Sequence, residues 1–89
     1  MRMGVQEEYL MLVEKIVAYE EVGIPAAKKA LNEVLNERYG GVPTELRYNA
    51  FTQLNPDEIE RAKRYLSVYL DSTRFKGEFP ELARLIFRK

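Results

Sequence analysis

The densest chemistry in this chain lies between residues 61 and 76, where Arg61, Lys63, Arg64, Arg74 and Lys76 interleave with Tyr65, Tyr69 and Phe75. Only Asp71 opposes them, so five positive charges against one negative leave a local balance of +4. Cations beside aromatic rings are what tracking a phosphate backbone and stacking bases require. The same mixture suits a protein interface, where arginine and the aromatic residues are enriched. On a helical wheel Arg61, Arg64 and Val68 fall together on an outer face, an apolar side chain flanked by two guanidinium groups. Arg61, Arg64, Tyr65, Val68, Arg74, Phe75 and Lys76 therefore make the first candidate interaction or nucleic-acid face. The plainer alternative is a solvated helix face whose arginines pair with Asp57 and Glu60 one turn earlier and whose tyrosines belong to the core.

A second candidate rests on a helix, a glycine-containing turn and a short helix, the outline of a helix-turn-helix. The outward residues of the short helix include Thr44, Glu45, Arg47, Asn49 and Gln53. Arg47, Asn49 and Gln53 carry the side-chain types that make bidentate contacts with base edges. Against this reading, the turn over residues 39–43 is long for the motif, and Lys28 and Lys29 are the few lysines near it that suit a phosphate.

Catalytic means are few. There is no histidine and no cysteine, so the commonest general base and the thiolate nucleophile are both missing. Serine and threonine have no histidine to activate them, and no glycine run forms a phosphate-cradling loop. The fourteen carboxylates lie mostly at polar helix positions without the spacing of a calcium loop. No enzyme activity, cofactor or metal is expected.

The elements that position these residues read as helices throughout. Residues 5–22 come first: at 100° per residue Tyr19, Leu12, Val5, Ile16, Tyr9, Val13, Val17 and Leu10 fill about half the wheel. An arc that wide implies neighbours on two sides, with the other helices wrapped around this one. Opposite it stand Glu7, Glu14 and Glu21, with a weaker apolar set, Met11, Ala18 and Val22, beside them. Another helix of the same chain is expected to cover that set; the sharper alternative is a docking or self-association seam edged by acid.

All four prolines mark helix starts, where the missing N–H costs nothing. Residues 25–39 form a second helix with Ala27, Leu31, Val34, Leu35 and Tyr39 inward, and Gly40-Gly41 ends it. A short third helix is expected over residues 42–53, with Leu46, Ala50, Phe51 and Leu54 inward. Asn55-Pro56-Asp57-Glu58 reads as an N-cap close to a capping box, opening a fourth helix over residues 56–70. There Ile59, Ala62, Leu66, Tyr69 and Leu70 face inward. Residues 71–78 read as the longest loop, and a final helix covers about residues 79–88. Expected intrahelical ion pairs are Asp57–Arg61, Glu60–Arg64, Glu81–Arg84 and, approximately, Glu33–Arg38.

Composition sets the class. With 46% hydrophobic and 31% charged residues, the chain is too apolar for disorder. Its 89 residues make one domain, 1–89. Zero net charge argues against a generally basic nucleic-acid binder. Residues 1–54 carry six basic and eight acidic side chains, and residues 55–89 eight and six, a balance of −2 followed by +2. That asymmetry helps the halves pack, or identical chains associate head to tail. No signal peptide or membrane span is legible, and the lack of cysteine fits a cytoplasmic setting.

The sequence thus implies an all-α, compact single-domain bundle of four to five short helices around a central N-terminal helix. The function it suggests is a non-catalytic regulatory or adaptor module whose partner is another protein or a second copy. The alternative is nucleic-acid binding within a replication or transcription complex.

Overall fold

Burial of one face of the first helix sets the layout. The computed structural model describes residues 4–49 and 53–87. Five α-helices, α1 (Val5–Glu20), α2 (Ile24–Tyr39), α3 (Pro56–Tyr69), α4 (Thr73–Glu78) and α5 (Pro80–Ile86), and a 3₁₀ turn at Thr44–Leu46 are joined without a strand among the described residues. Tyr9, Leu12, Val13 and Ile16 of α1 are buried, at the spacing that puts them on one side of a helix. They meet Ala27, Leu31, Val34 and Leu35 of α2, Ala62 and Leu66 of α3, and Leu82 and Ile86 of α5 in one core. α1 lies against α2, α3, α5 and the 3₁₀ turn, while α2 and α3 share the most extensive contact.

The margins of α1 depart from the wheel. Leu10 and Tyr19, at the two edges of the apolar arc, are 49% and 72% exposed. Met11 is also 46% exposed and Ala18 is exposed, so no described helix covers them; of that second set only Val22 is buried. Glu7, Glu14 and Glu21 all face outward.

One acid of α1 goes the other way. Glu8 is 2% exposed. Its carboxylate accepts from the backbone N–H of Leu82 at 2.8 Å and, more weakly, of Glu81 at 3.4 Å. These are first-turn amides of α5, which have no partner within their own helix. The residue before that helix, Phe79, offers no capping side chain. Glu8 therefore caps α5 from a distance of 74 residues, placing an anion at the positive end of the helix dipole.

Local signals fix the helix ends. Asn55 Oδ1 accepts from the Asp57 N–H at 2.8 Å with Pro56 in the first turn. The capping box does not close on itself: Glu58 instead accepts from the Gly23 N–H at 3.4 Å, joining the start of α3 to the turn before α2. Gly40 takes a left-handed conformation, φ 79°, at the end of α2. Glu21 does so at the end of α1, with φ 54° and ψ 48°.

Two expected elements are corrected. Of the helix expected over residues 42–53, the described residues hold only the turn Thr44–Leu46, after which Arg47 is extended at φ −65°, ψ 138°. Leu46 is buried as expected, whereas Ala50 and Phe51 lie outside the described residues. The reason is topological. Contacts of Glu58 with Gly23, of Lys63 with Glu33 and Glu37, and of Arg38 with Ser67 and Asp71 show that α2 and α3 run parallel. The connection must travel back the length of α2, about 24 Å at 1.5 Å per residue. Extended chain covers that in about seven residues, while a helix over residues 42–53 advances only about 18 Å. The second correction is the expected loop over residues 71–78, which holds α4. Phe75 is fully buried there, ringed by Tyr69, Phe79 and Phe87 at 5.6, 6.1 and 6.0 Å between centroids. Six residues including a glycine are too short to hold a helix by propensity alone; burial of this ring holds it.

Two neighbouring substitutions in α1 are expected to act in opposite directions. Glu8→Ala leaves the α5 amides without their acceptor, and denaturant unfolding should show a loss of about 2–3 kcal/mol. The Tyr9 hydroxyl is buried with no hydrogen-bond partner among the described residues, and burial, with nearby Tyr48, pushes its pKa up to about 12. Tyr9→Phe should therefore leave stability unchanged or raise it by about 1 kcal/mol.

Candidate functional site

α3 has two faces. Ala62, Leu66 and Tyr69 are buried, while Val68 is 75% exposed, the most exposed large apolar side chain among the described residues. Arg61 and Arg64 share its side of the helix, Arg64 one turn and Arg61 two turns before it. The last turn of α1 runs along this side, bringing the Tyr19 ring to 5.0 Å from that of Tyr65. Tyr65 in turn stacks on Tyr69 at 5.6 Å and 13°. The start of α4 closes one end with Arg74. The result is an open groove of about 570 Å³ lined by Tyr19, Glu20, Arg61, Arg64, Tyr65, Val68, Tyr69, Ser72 and Arg74.

Its floor is aromatic and aliphatic, and three guanidinium groups stand around it. The expected pairs of Arg61 with Asp57 and of Arg64 with Glu60 do not form; among the described residues neither arginine is ion-paired. Asp57 and Glu60 are exposed, and three other nearby acids are engaged elsewhere. Glu33 and Glu37 hold Lys63 at 3.4 and 2.9 Å, and Asp71 holds Arg38 at 2.5 Å. Of the intrahelical pairs expected from sequence, Glu81–Arg84 forms, at 3.6 Å. Arg74 has a loose contact with Glu78 at 3.9 Å, and Glu20 is the one carboxylate among the groove-lining residues.

Glu78 organises the groove from behind. It accepts a hydrogen bond from the Tyr69 hydroxyl and an ion pair from Lys15 at 3.4 Å, whose ammonium lies 5.0 Å above the Tyr69 ring. These contacts hold its carboxyl below the usual value, the Tyr69 hydrogen bond most of all. Burial, and then the bond to Glu78, hold the Tyr69 hydroxyl above its ordinary value. Tyr65 is raised too, by burial and by adjoining Tyr19. Both rings thus stay neutral at physiological pH and present uncharged faces.

Five of the seven residues of the first candidate face line this groove: Arg61, Arg64, Tyr65, Val68 and Arg74. Phe75 is corrected: α4 turns its ring into the core, where it is fully buried. Lys76 lies apart, its ammonium 5.3 Å over the Phe87 ring. Tyr19 and Glu20 enter from α1 and were not legible as site residues, because the wheel assigns Tyr19 to the apolar arc and cannot tell that the helix ends outside its cover. The helix-turn-helix residues fare differently. Arg47 and Asn49 border a second depression of about 330 Å³ with Lys29, Asn32 and Asn36 of α2, but neither lies in a helix. Gln53 is exposed outside that depression.

The described residues include no cluster of three carboxylates able to hold a metal ion, and no helix among them is long and apolar enough to cross a membrane. Comparison with known protein families, curated proteins and solved structures finds no match to this chain.

The depressed Glu78 pKa has a stability consequence. A carboxyl whose folded value lies below its unfolded one contributes stability that is complete above the unfolded value. That contribution is lost as pH falls through the folded value. Wild type should therefore be more stable than Glu78→Gln at neutral pH, and the two should converge as pH falls below the usual carboxylate range. Denaturant midpoints measured from about pH 7 to pH 3 check this, and a gap that stays constant with pH contradicts it.

Proposed function

We propose that this chain is a small non-catalytic adaptor or regulatory module, working in the cytoplasm, that captures a segment of a protein partner in the groove between α1, α3 and α4. One observation carries the reading: Val68, 75% exposed, lies in a groove beside two arginines that have no acidic partner among the described residues. An exposed β-branched side chain adds nothing to the core. Arginines left unpaired beside apolar surface keep their charge for a ligand. The complementary segment presents an apolar side chain to Val68 and Tyr65 and carboxylates to Arg61, Arg64 and Arg74. In such an arrangement the buried anchor supplies most of the affinity, and the rim charges set orientation and association rate.

A second reading, single-stranded nucleic acid in the same groove, is favoured by the Tyr19 ring. It is 72% exposed and adjoins both Tyr65 and the arginines, a platform on which a base can stack. The outline of a helix-turn-helix gives no such support, since only a 3₁₀ turn stands where its second helix would begin.

Titration with a helical peptide of alternating Glu and Leu faces and, separately, with single-stranded oligothymidylate separates the two. The protein reading expects the peptide to bind, and Arg61→Glu with Arg64→Glu to weaken it by about tenfold or more, roughly 1.4 kcal/mol, with the helical circular dichroism unchanged. Oligonucleotide binding that falls steeply with salt, with no peptide binding, replaces the first reading by the second.

A further inference from the structure

The groove opens onto a second surface whose chemistry is its opposite. The outer side of α1 carries Glu7 and Glu14 with Met11 between them, all exposed, Met11 to 46%. Leu10, 49% exposed, flanks the same ridge. No helix among the described residues covers this ridge. It is an acidic and apolar helical surface, the kind of segment that the proposed groove calls for.

The two surfaces are continuous. Lys15, Ala18 and Tyr19 border a depression shared with Tyr65, Tyr69 and Arg74, so the exposed side of α1 runs from its acidic N-terminal half, past Lys15, into the arginine groove at its C-terminal end. Glu7 and Tyr19 are twelve residues apart on α1, about 18 Å along the axis. One end of the strip holds Glu7, Met11 and Glu14; the other holds Arg61, Arg64 and Arg74 around Val68. A surface with opposite charge at its two ends is self-complementary across a two-fold axis through its middle, where residue i of each copy meets residue j of the other.

We propose that the occupant of the groove is a second copy of this chain. The two α1 helices pack antiparallel about an axis midway between Met11 and Ala18, so that the Glu7–Met11–Glu14 ridge of each copy enters the groove of the other. This rests on the groove reading above and names its partner. Apolar contact of Met11 with Val68 and the tyrosines lies at the centre of each half, and the Glu–Arg contacts surround it. Because both contacts form reciprocally, the assembly closes at two chains and does not grow into a filament.

Sedimentation equilibrium over a micromolar to millimolar range tests this on the intact chain. Wild type is expected at twice its 10.4 kDa mass, shifting toward monomer as salt rises. Arg61→Glu with Arg64→Glu, and separately Glu7→Arg with Glu14→Arg, should each be monomeric while keeping wild-type circular dichroism. An equimolar mixture of the two variants should restore the doubled mass, since each reversed groove then faces a reversed ridge. Loss of dimer in a variant that has unfolded would not restore on mixing, so the mixture separates a charge contact from damage to the fold. Wild type that stays monomeric at millimolar concentration and low salt overturns the proposal. If that monomer still binds the acidic amphipathic peptide, the groove reading survives and only the second copy is excluded; if it binds neither, both fall.

Discussion

A single carboxylate joins the two ends of the fold. Glu8 belongs to the first helix and satisfies the opening amides of the last. α5 is only seven residues long, too short to persist by its own hydrogen bonds, and Phe79 cannot cap it. With Glu8 in place, Leu82, Ala83 and Ile86 close the core against α1. α4 ends where α5 begins, at Phe79, so anchoring α5 also positions α4. α4 then supplies Phe75 to the core, Arg74 to the groove and Glu78 to the network behind it. The geometry of the groove is thus traceable to a carboxylate buried between α1 and α5. A buried carboxylate is costly unless fully partnered, which ties the packing of α1 to correct placement of the last two helices.

Four acids around α3 make their contacts away from the groove. Glu58 holds the turn before α2, Glu33 and Glu37 hold Lys63, and Asp71 holds Arg38. These contacts align α2 and α3 along their length. The outer side of α3 carries Arg61, Arg64 and Val68, with Asp57 and Glu60 exposed near its start. The tyrosines connect that side to the interior: Tyr69 touches Phe75 and Phe79 in the core and stacks Tyr65 toward solvent, and Tyr65 supports Tyr19. An aromatic column running from core to surface makes a rigid floor, since each ring is fixed by the one beneath it. A rigid, preorganised surface loses little entropy when a partner settles on it.

The acidic side of α1 and the arginine side of α3 also give spatial form to the charge asymmetry along the chain, −2 over residues 1–54 and +2 over residues 55–89. Some of that asymmetry is neutralised within the molecule, as in Lys63 with Glu33 and Glu37. Glu7 and Glu14 of α1 and Arg61 and Arg64 of α3 make no ion pair among the described residues.

Much of the architecture was determined by the sequence alone, because the signals involved are local. Helical periodicity selects Leu12, Ile16, Leu31, Leu35 and Leu66 for the core whatever their neighbours are. Asn55-Pro56 and Gly40 begin or end helices through bonds to residues a few positions away. The clustering of Arg61, Arg64, Tyr65 and Val68 follows from one helix and needed no tertiary information. Tertiary structure decided what depends on distant partners. A wheel places Glu8 about 40° from Leu12 but cannot reveal that helix amides 74 residues later await it. Parallel packing of α2 and α3 called for a longer return path than a helix gives, and Arg47 is extended where the second helix of a helix-turn-helix was expected. Burial of Phe75 coiled a segment that reads as loop and withdrew that ring from the surface. The exposure of Met11, Ala18 and Tyr19 was likewise set by where the other helices stop, since a residue's own helix fixes its direction but only its neighbours decide whether anything lies there.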